Sequence, residues 1–333
     1  MRILSTGGAG YVGSFCHRRF LAAGHSGAVL DDLSEGNPDA VPGGDIEQVD
    51  LRDTEAVARV LHEQRIDAVA HFASLISVPA SISDPAAYWS VNLEGTLSLL
   101  DAMVETGVKR LVVSSTAAVY DHGAPMPLCE DAALSPATPY GASKLATEHV
   151  VRDYAHAYGL STTCLRYFNA AGAEPDGSHG EARRIESHVI PLLMDFALGK
   201  RAKFMVFGTD WPTPDGSCIR DFISLHDLAT AHIAALERGR EGQCAIYNLG
   251  TGDGTSVWEV VKAARAVTGL ELPVEEAPRR PGDPAVLVAD STKARSELGW
   301  QPARSDIGTI LRDAWAWHKS HPDGYGTVWM SEA

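Results

Sequence analysis

Short apolar runs alternate with helix-period stretches over the first half of the chain, and this alternation limits the fold more than any other feature. The runs at 2–6, 28–31, 46–49, 68–73 and 110–115 are too short for helices and read as buried parallel strands. Between them, 11–23, 54–64, 85–105 and 139–158 carry apolar residues at helical spacing. A further strand is expected at 161–168. Alternation of this kind predicts an α/β protein built on a doubly wound parallel sheet. At 333 residues the chain has room for a second, smaller unit as well.

From 169 to 221 the rhythm breaks. Gly172-Ala173-Glu174-Pro175-Asp176-Gly177 and Trp211-Pro212-Thr213-Pro214-Asp215-Gly216 are dense in turn formers, and predict loops around a short helix near 187–198 and a strand at 204–208. Helix is expected again over 221–238, a strand at 245–249, a helix at 256–267, a strand at 286–289, and closing helices. The expected division is 1–170 plus 222–252 for the main sheet, and 171–221 plus 253–333 for a smaller domain. That domain would cover the carboxyl ends of the strands, where open α/β sheets bind ligands.

Composition narrows the partners. Hydrophobic residues at 45% and charged residues at 21% exclude a disordered or coiled-coil chain. A formal net charge of -15 and no Lys/Arg-rich stretch argue against a nucleic-acid partner. No apolar stretch approaches bilayer length, so no membrane partner is expected. Cysteines at 16, 129, 164, 218 and 244 form no CxxC pair, and the histidines show no ligand spacing, so no metal is expected. The opening lacks the basic head and apolar run of a signal peptide, and a reducing cytoplasm is the expected location.

Three short motifs carry chemistry. Thr6-Gly7-Gly8-Ala9-Gly10-Tyr11-Val12-Gly13 follows the first strand and opens the first helix, with Gly7, Gly10 and Gly13 in GxxGxxG spacing. Missing side chains there let a helix N-terminus approach a pyrophosphate, although any tight strand–helix loop also favours glycine. Asp31 closes the second strand, where a carboxylate accepts both ribose hydroxyls of NAD, and Asp32 beside it repels the extra phosphate of NADP. Tyr140-Gly141-Ala142-Ser143-Lys144 places a Tyr and a Lys at i, i+4 on one helix face. A phenol with a pKa near ~10 is a poor base at neutral pH, and a nearby ammonium favours its phenolate. A surface Tyr–Lys pair has the same spacing. Ser114-Ser115-Thr116 ends the fifth strand, where a hydroxyl can share a substrate proton with the tyrosine or simply cap a turn.

Taken in order, these motifs resemble those of the extended short-chain dehydrogenase/reductases and, within them, the UDP-glucose (UDP-galactose) 4-epimerases. The likeness runs through Ser14 after the glycine turn, Ser114-Ser115-Thr116-Ala117-Ala118-Val119-Tyr120 and the Tyr140–Lys144 motif. Leu165-Arg166-Tyr167-Phe168-Asn169, Phe207-Gly208, Asp215-Gly216 and Arg220-Asp221-Phe222 extend it. So do Tyr247-Asn248-Leu249-Gly250-Thr251-Gly252 and Arg279-Arg280-Pro281-Gly282-Asp283.

The resemblance implies a Rossmann sheet that binds NAD, with a smaller C-terminal substrate-binding domain. It implies that Gly7, Gly10, Gly13, Tyr11, Val12, Asp31, Asp32, Leu33, Ser34, Glu35 and Gly36 line the adenosine and pyrophosphate, with Asp50 and Leu51 against adenine. Phe72, Ala73, Ser74, Leu75, Ile76 and Asn92 fall on the nicotinamide side, followed by Phe168. Ile76 stands near a point where many relatives carry a Lys. Thr116, Tyr140 and Lys144 become the catalytic set. Asn169, His188, Val189, Phe207, Arg220, Arg280 and Asp283 match positions that hold a UDP-sugar, and guanidinium forks suit its diphosphate. Leu287 falls where relatives place a residue beside the sugar's C2 substituent. Relatives are commonly homodimers, so a homodimer is expected.

One local feature separates reactions within the family. The resembling 4,6-dehydratases follow the active-site Thr with an Asp-Glu pair, but Ala117 and Ala118 stand there in this chain, and alanine transfers no proton. The expected activity is therefore that of an isomerase inverting C4 of a UDP-hexose, UDP-glucose or UDP-galactose, through a 4-keto intermediate. The alternatives are a 4-epimerase or decarboxylase of UDP-glucuronate or UDP-N-acetylglucosamine, and a non-catalytic NAD(H)-binding sensor. An intact Thr116, Tyr140 and Lys144 speaks against the sensor.

Overall fold

The computed structural model describes residues 1–280 and 282–326; Pro281 of the arginine-rich motif and the last residues of the 253–333 segment lie outside them. Among the described residues, β1 (Arg2–Thr6), β2 (Ser26–Asp31), β3 (Ile46–Gln48), β4 (Ala68–His71), β5 (Arg110–Thr116), β6 (Ser161–Tyr167) and a seventh strand, Gln243–Leu249, form one parallel sheet. Across it the order is seventh strand, β6, β5, β4, β1, β2, β3. The chain steps outward from β1 to β3, then crosses to β4 on the other side. That reversal opens a crevice at the carboxyl ends of β1 and β4.

Both faces of the sheet are covered, as the apolar strands require. Phe15 and Phe20 of α1 (Tyr11–Ala22) pack with Leu228 and Leu236 of the Leu225–Arg238 helix on one face. Leu61 of α2 (Thr54–Glu63), Leu99 and Met103 of the Gly95–Thr106 helix, and Val151 of the Pro139–Tyr158 helix fill the other. A third core, with Leu193, Phe204, Val206, Val260 and Leu311, lies beneath the helices Val189–Ala197, Val257–Thr268 and Ile307–Ser320. Small sheets accompany it, one pairing Phe204–Phe207 with Val274–Ala277, another holding Ile219–Arg220 between Thr255–Ser256 and Val286–Leu287.

Two expectations need correction. The stretch at 85–105 is not one helix: Pro85–Tyr88 leads into a π-helical segment, Trp89–Glu94, before Gly95–Thr106 begins. The wide turn carries Asn92 inward, where its side chain accepts from Leu75 N at 2.8 Å and donates to Ser143 Oγ at 3.0 Å. Nor does helix begin at 221. A strand, Phe222–Ser224, pairs with Asn169–Ala171, and Ser224 then caps the helix through Asp227 N at 3.1 Å. No helix among the described residues is long and apolar enough to cross a membrane.

Candidate active site

The glycine turn lies in the crevice. Gly7 has φ 66°, and a Cβ there would fall 2.4 Å from the backbone N of Ala73. A Cβ on Gly13 would fall 2.2 Å from Gly7 O, so the first and third glycines answer to packing. Gly10 differs. It precedes α1 as its N-cap with no side-chain cap, and its Cβ would meet only Gly7 O, at 3.3 Å. Asp31, at the end of β2, accepts from Ala9 N and Leu33 N at 2.9 Å each, which ties the turn to the next loop. Burial raises its pKa against those two bonds, and each oxygen keeps a further lone pair.

Neighbouring expected contacts divide. Gly36 packs on Asp31, where a Cβ would come 2.7 Å from Oδ1. Asp32 and Glu35 are exposed, and Asp32 accepts from Ser34 N and Oγ. Asp50 is engaged by Arg52 at 2.6 Å, and these hydrogen bonds hold its carboxyl below the usual range. Leu51 is buried against Gly95. Tyr11 donates to Gly172 O at 2.5 Å, while Val12 packs on the sheet core.

Thr116, Tyr140 and Lys144 meet at the end of β5. Pro139 and the Thr138 cap, which accepts from Gly141 N, start the helix that carries the last two. Burial raises the pKa of the Tyr140 phenol, and a hydrogen bond with the Thr116 hydroxyl pulls it back. Tyr88 lies edge-on to Tyr140, ring centroids 6.4 Å apart. Lys144 is 3% exposed. Burial lowers its pKa to about 8, opposed by Cys164 and Glu148. Asn92 pins the loop at 72–76 to this helix by holding Leu75 and Ser143 together. Ala73, Ser74 and Ile76 of that loop are half-buried, and Phe72 is buried.

The second group of expected residues gathers on the smaller sheets. Phe168 and Leu287 pack on the cluster of Ala117, Val119, Tyr120 and Leu128, just beyond Thr116. Leu287 pairs in register with Arg220, whose Nη1 donates to Ile219 O and Pro284 O at 2.9 Å and whose Nη2 lies 3.5 Å from Asp283. The Arg280 guanidinium sits 3.9 Å over the Phe207 ring. Asn169 donates its amide to Asp221 O at 3.2 Å. His188 precedes Val189 at the start of a helix, with Nδ1 3.0 Å from Glu181 and 3.2 Å from Glu186. Burial lowers its pKa, but the two carboxylates outweigh that and raise it to about 9, so it is cationic at neutral pH.

Sequence reasoning missed the partners of His188, and Arg183, which donates to Glu181 at 2.6 Å beside the Tyr11 ring. They lie in turn-rich chain with no periodicity to read. It also missed the buried Glu148–Arg166 pair at 2.7 Å, although Glu148 stands one helical turn after Lys144 in plain view.

The profile of the NAD dependent epimerase/dehydratase family matches residues 3–250. The chain is 48% identical over 316 residues to the UDP-glucose 4-epimerase of Corynebacterium glutamicum, covering 95% of each. It superposes on a crystal structure of a UDP-glucose 4-epimerase with TM-score 0.94 and 44% identity, over 98% of this chain and 100% of that one. The Brucella ovis UDP-glucose 4-epimerase in complex with NAD gives TM-score 0.91 at 41% identity, over 94% and 97%. A match running from the first strand of the sheet to the seventh, with relatives this alike along their full length, makes the chain a member of the NAD dependent epimerase/dehydratase family.

Proposed function

We propose that the chain is a UDP-glucose 4-epimerase that interconverts UDP-glucose and UDP-galactose with NAD as a retained cofactor. The observation that carries this reading is the set at the end of β5: Lys144, 3% exposed, stands one helical turn from Tyr140, whose phenol faces the Thr116 hydroxyl. Ribose hydroxyls of a nicotinamide nucleotide would complete it. The uncovered start of α1 at Gly10 suits the diphosphate, and the free lone pairs of Asp31 suit the adenosine ribose. When bound, NAD supplies the hydride acceptor and donor for C4 of the sugar.

The chain's residues handle the proton. Tyr140, as phenolate, takes the proton of the 4-hydroxyl, while Thr116 orients that hydroxyl and Lys144 favours the phenolate by its charge. Tyr140 returns the proton when the 4-keto sugar has turned its other face. Turning is allowed because the grip is on UDP: Arg220 and Arg280 on the diphosphate, with Asn169, His188, Val189, Phe207 and Asp283 around the nucleotide. Ala117 and Ala118 offer no acid or base for elimination. Residues 1–170 with 222–252 serve the cofactor, and 171–221 with 253–333 serve the UDP-sugar. A cytoplasmic homodimer fits this reading, with exposed Trp89 and Tyr158 beside the helical layer as contact residues.

The test is a panel of UDP-sugars assayed for interconversion without added NAD, with the released cofactor identified after denaturation. UDP-glucose and UDP-galactose should interconvert, and NAD should greatly exceed NADP. No interconversion by the folded protein rejects the proposal, and mostly NADP rejects the reading of Asp31 and Asp32.

A further inference from the structure

Asp221 stands between the two-residue strand that carries Arg220 and the strand Phe222–Ser224, and it is fully buried. A buried carboxylate is costly unless hydrogen-bond donors surround it. Here Oδ1 accepts from Thr251 N and Thr251 Oγ1 at 2.8 Å each. Oδ2 accepts from Gly252 N at 3.0 Å and from Ala289 N at 3.1 Å. Gly250 packs on the same carboxylate, since a Cβ there would fall 2.4 Å from Oδ2. The main chain of Asp221 is engaged as well. Its N–H donates to Leu287 O at 3.1 Å, and its carbonyl accepts from Asn169 N at 2.9 Å and from the Asn169 amide at 3.2 Å.

Three segments expected to hold the UDP-sugar thus meet at one residue: Asn169 just after β6, Arg220 next to Asp221, and Leu287 on the neighbouring strand. The ladders that join them are short. The strand of Arg220 pairs with that of Leu287 through 219–286 and 220–287, and Asn169–Ala171 pairs with Phe222–Ser224 over three positions. Isolated pairings of this length are marginal on their own. The Asp221 carboxylate ties both to the turn at 250–252 and to Ala289, which bridges to Leu128 in the cluster beyond Thr116.

We infer that Asp221 is a positioning residue for the UDP-sugar: its carboxylate, gripped by Thr251, Gly252 and Ala289, holds Asn169, Arg220 and Leu287 at the spacing at which they take one ligand. The inference rests on the UDP-glucose 4-epimerase reading for its kinetic test. Asp221→Asn keeps the size but turns an amide N–H₂ toward N–H donors, so the brace loosens. KM for UDP-glucose should rise about tenfold, as when a hydrogen bond to a charged group is lost, with kcat within about twofold and NAD content unchanged. A residue that only supports the fold behaves otherwise. Asp227, 3% exposed, likewise accepts from main-chain donors, Ala303 N and Arg304 N at 2.9 Å each, and ties the Leu225–Arg238 helix to that segment. Asp227→Asn should lower the melting temperature and leave KM alone.

A KM within about twofold of wild type in folded Asp221→Asn overturns the inference, as does an equal rise in Asp227→Asn. Should Asp221→Asn not fold, Thr251→Val removes one donor to Oδ1 at constant size. The same split should then appear as a rise in KM of about threefold, and an unchanged KM rejects the inference. If wild type interconverts no UDP-sugar, the functional reading alone has failed. Crystal structures of wild type and the folded variant then test the positioning by themselves. Asn169, Arg220 and Leu287 should move relative to β6, and their superposition in the two structures rejects the role of Asp221.

Discussion

Thr116, Tyr140 and Lys144 stand on β5 and a 20-residue helix, whereas Arg220, Arg280 and His188 stand on a two-residue strand, a loop and a helix cap. On the first side, position comes from packing and from hydrogen bonds deep in the fold, such as Asn92 to Ser143. On the second, it comes from charge: Arg220 against Asp283, His188 between two carboxylates, Arg280 over Phe207. On the proposed function, the contrast follows the work assigned to each side. Proton transfer fails when atoms are misplaced by an ångström, so its groups belong on rigid elements. A flexible diphosphate needs opposite charge and directed donors, which loops can present.

The contrast can be broken or sharpened by mutation. Tyr140→Phe keeps the ring and removes the proton carrier, so turnover should fall at least ~10²-fold. Isothermal titration with UDP and the NAD content of the purified protein should be unchanged. Near-native turnover would end the assignment of Tyr140.

The glycine turn separates packing from binding. Gly7→Ala forces a left-handed backbone and a collision with Ala73, an overpacking cost on the order of 1–3 kcal/mol that a thermal melt will register. Gly10→Ala meets only one contact at 3.3 Å, so its melting temperature should barely change while bound NAD decreases. Equal melts for the two variants would remove the distinction drawn between these glycines.

Arg280→Ala should leave NAD content alone and raise KM for UDP-sugars roughly 10-fold or more, as expected when a charged hydrogen-bond donor is lost. Steady-state kinetics with a fixed UDP-sugar check this. A fall in NAD content instead would show that the two sides of the cleft are not separable.

The smallest effect concerns Leu287. Shorter than tyrosine but larger than cysteine, it should leave partial room at C2, so UDP-N-acetylglucosamine turns over less efficiently than UDP-glucose. Leu287→Tyr should then depress N-acetyl turnover on the order of 10-fold more than hexose turnover, the scale of a packed-wall clash. Proportional losses on both substrates would mean that Leu287 is ordinary wall packing.

Much of this was legible along the chain. The strand–helix alternation and the 3.6-residue period are local properties, and so is the i, i+4 stacking of Tyr140 and Lys144. Strands of two or three residues, such as Ile219–Arg220 and Asn169–Ala171, leave no periodic trace and went unseen. The break at 89–94 was hidden because a π-turn keeps the apolar content of a helix while rotating one residue, Asn92, into the interior.

The sequence by itself therefore determined the parallel sheet, the glycine turn, the Tyr–Lys helix and the lack of an acid–base pair after Thr116. Each depends on residues a few positions apart, where backbone geometry allows one arrangement. Only the tertiary structure decided that Lys144 is buried, that Arg52 occupies Asp50, that Glu181 and Glu186 raise the pKa of His188, and that Arg166 reaches Glu148. Those properties come from desolvation and from side chains that meet only when loops and strands close on one another, and charge in such places is set by neighbours in space.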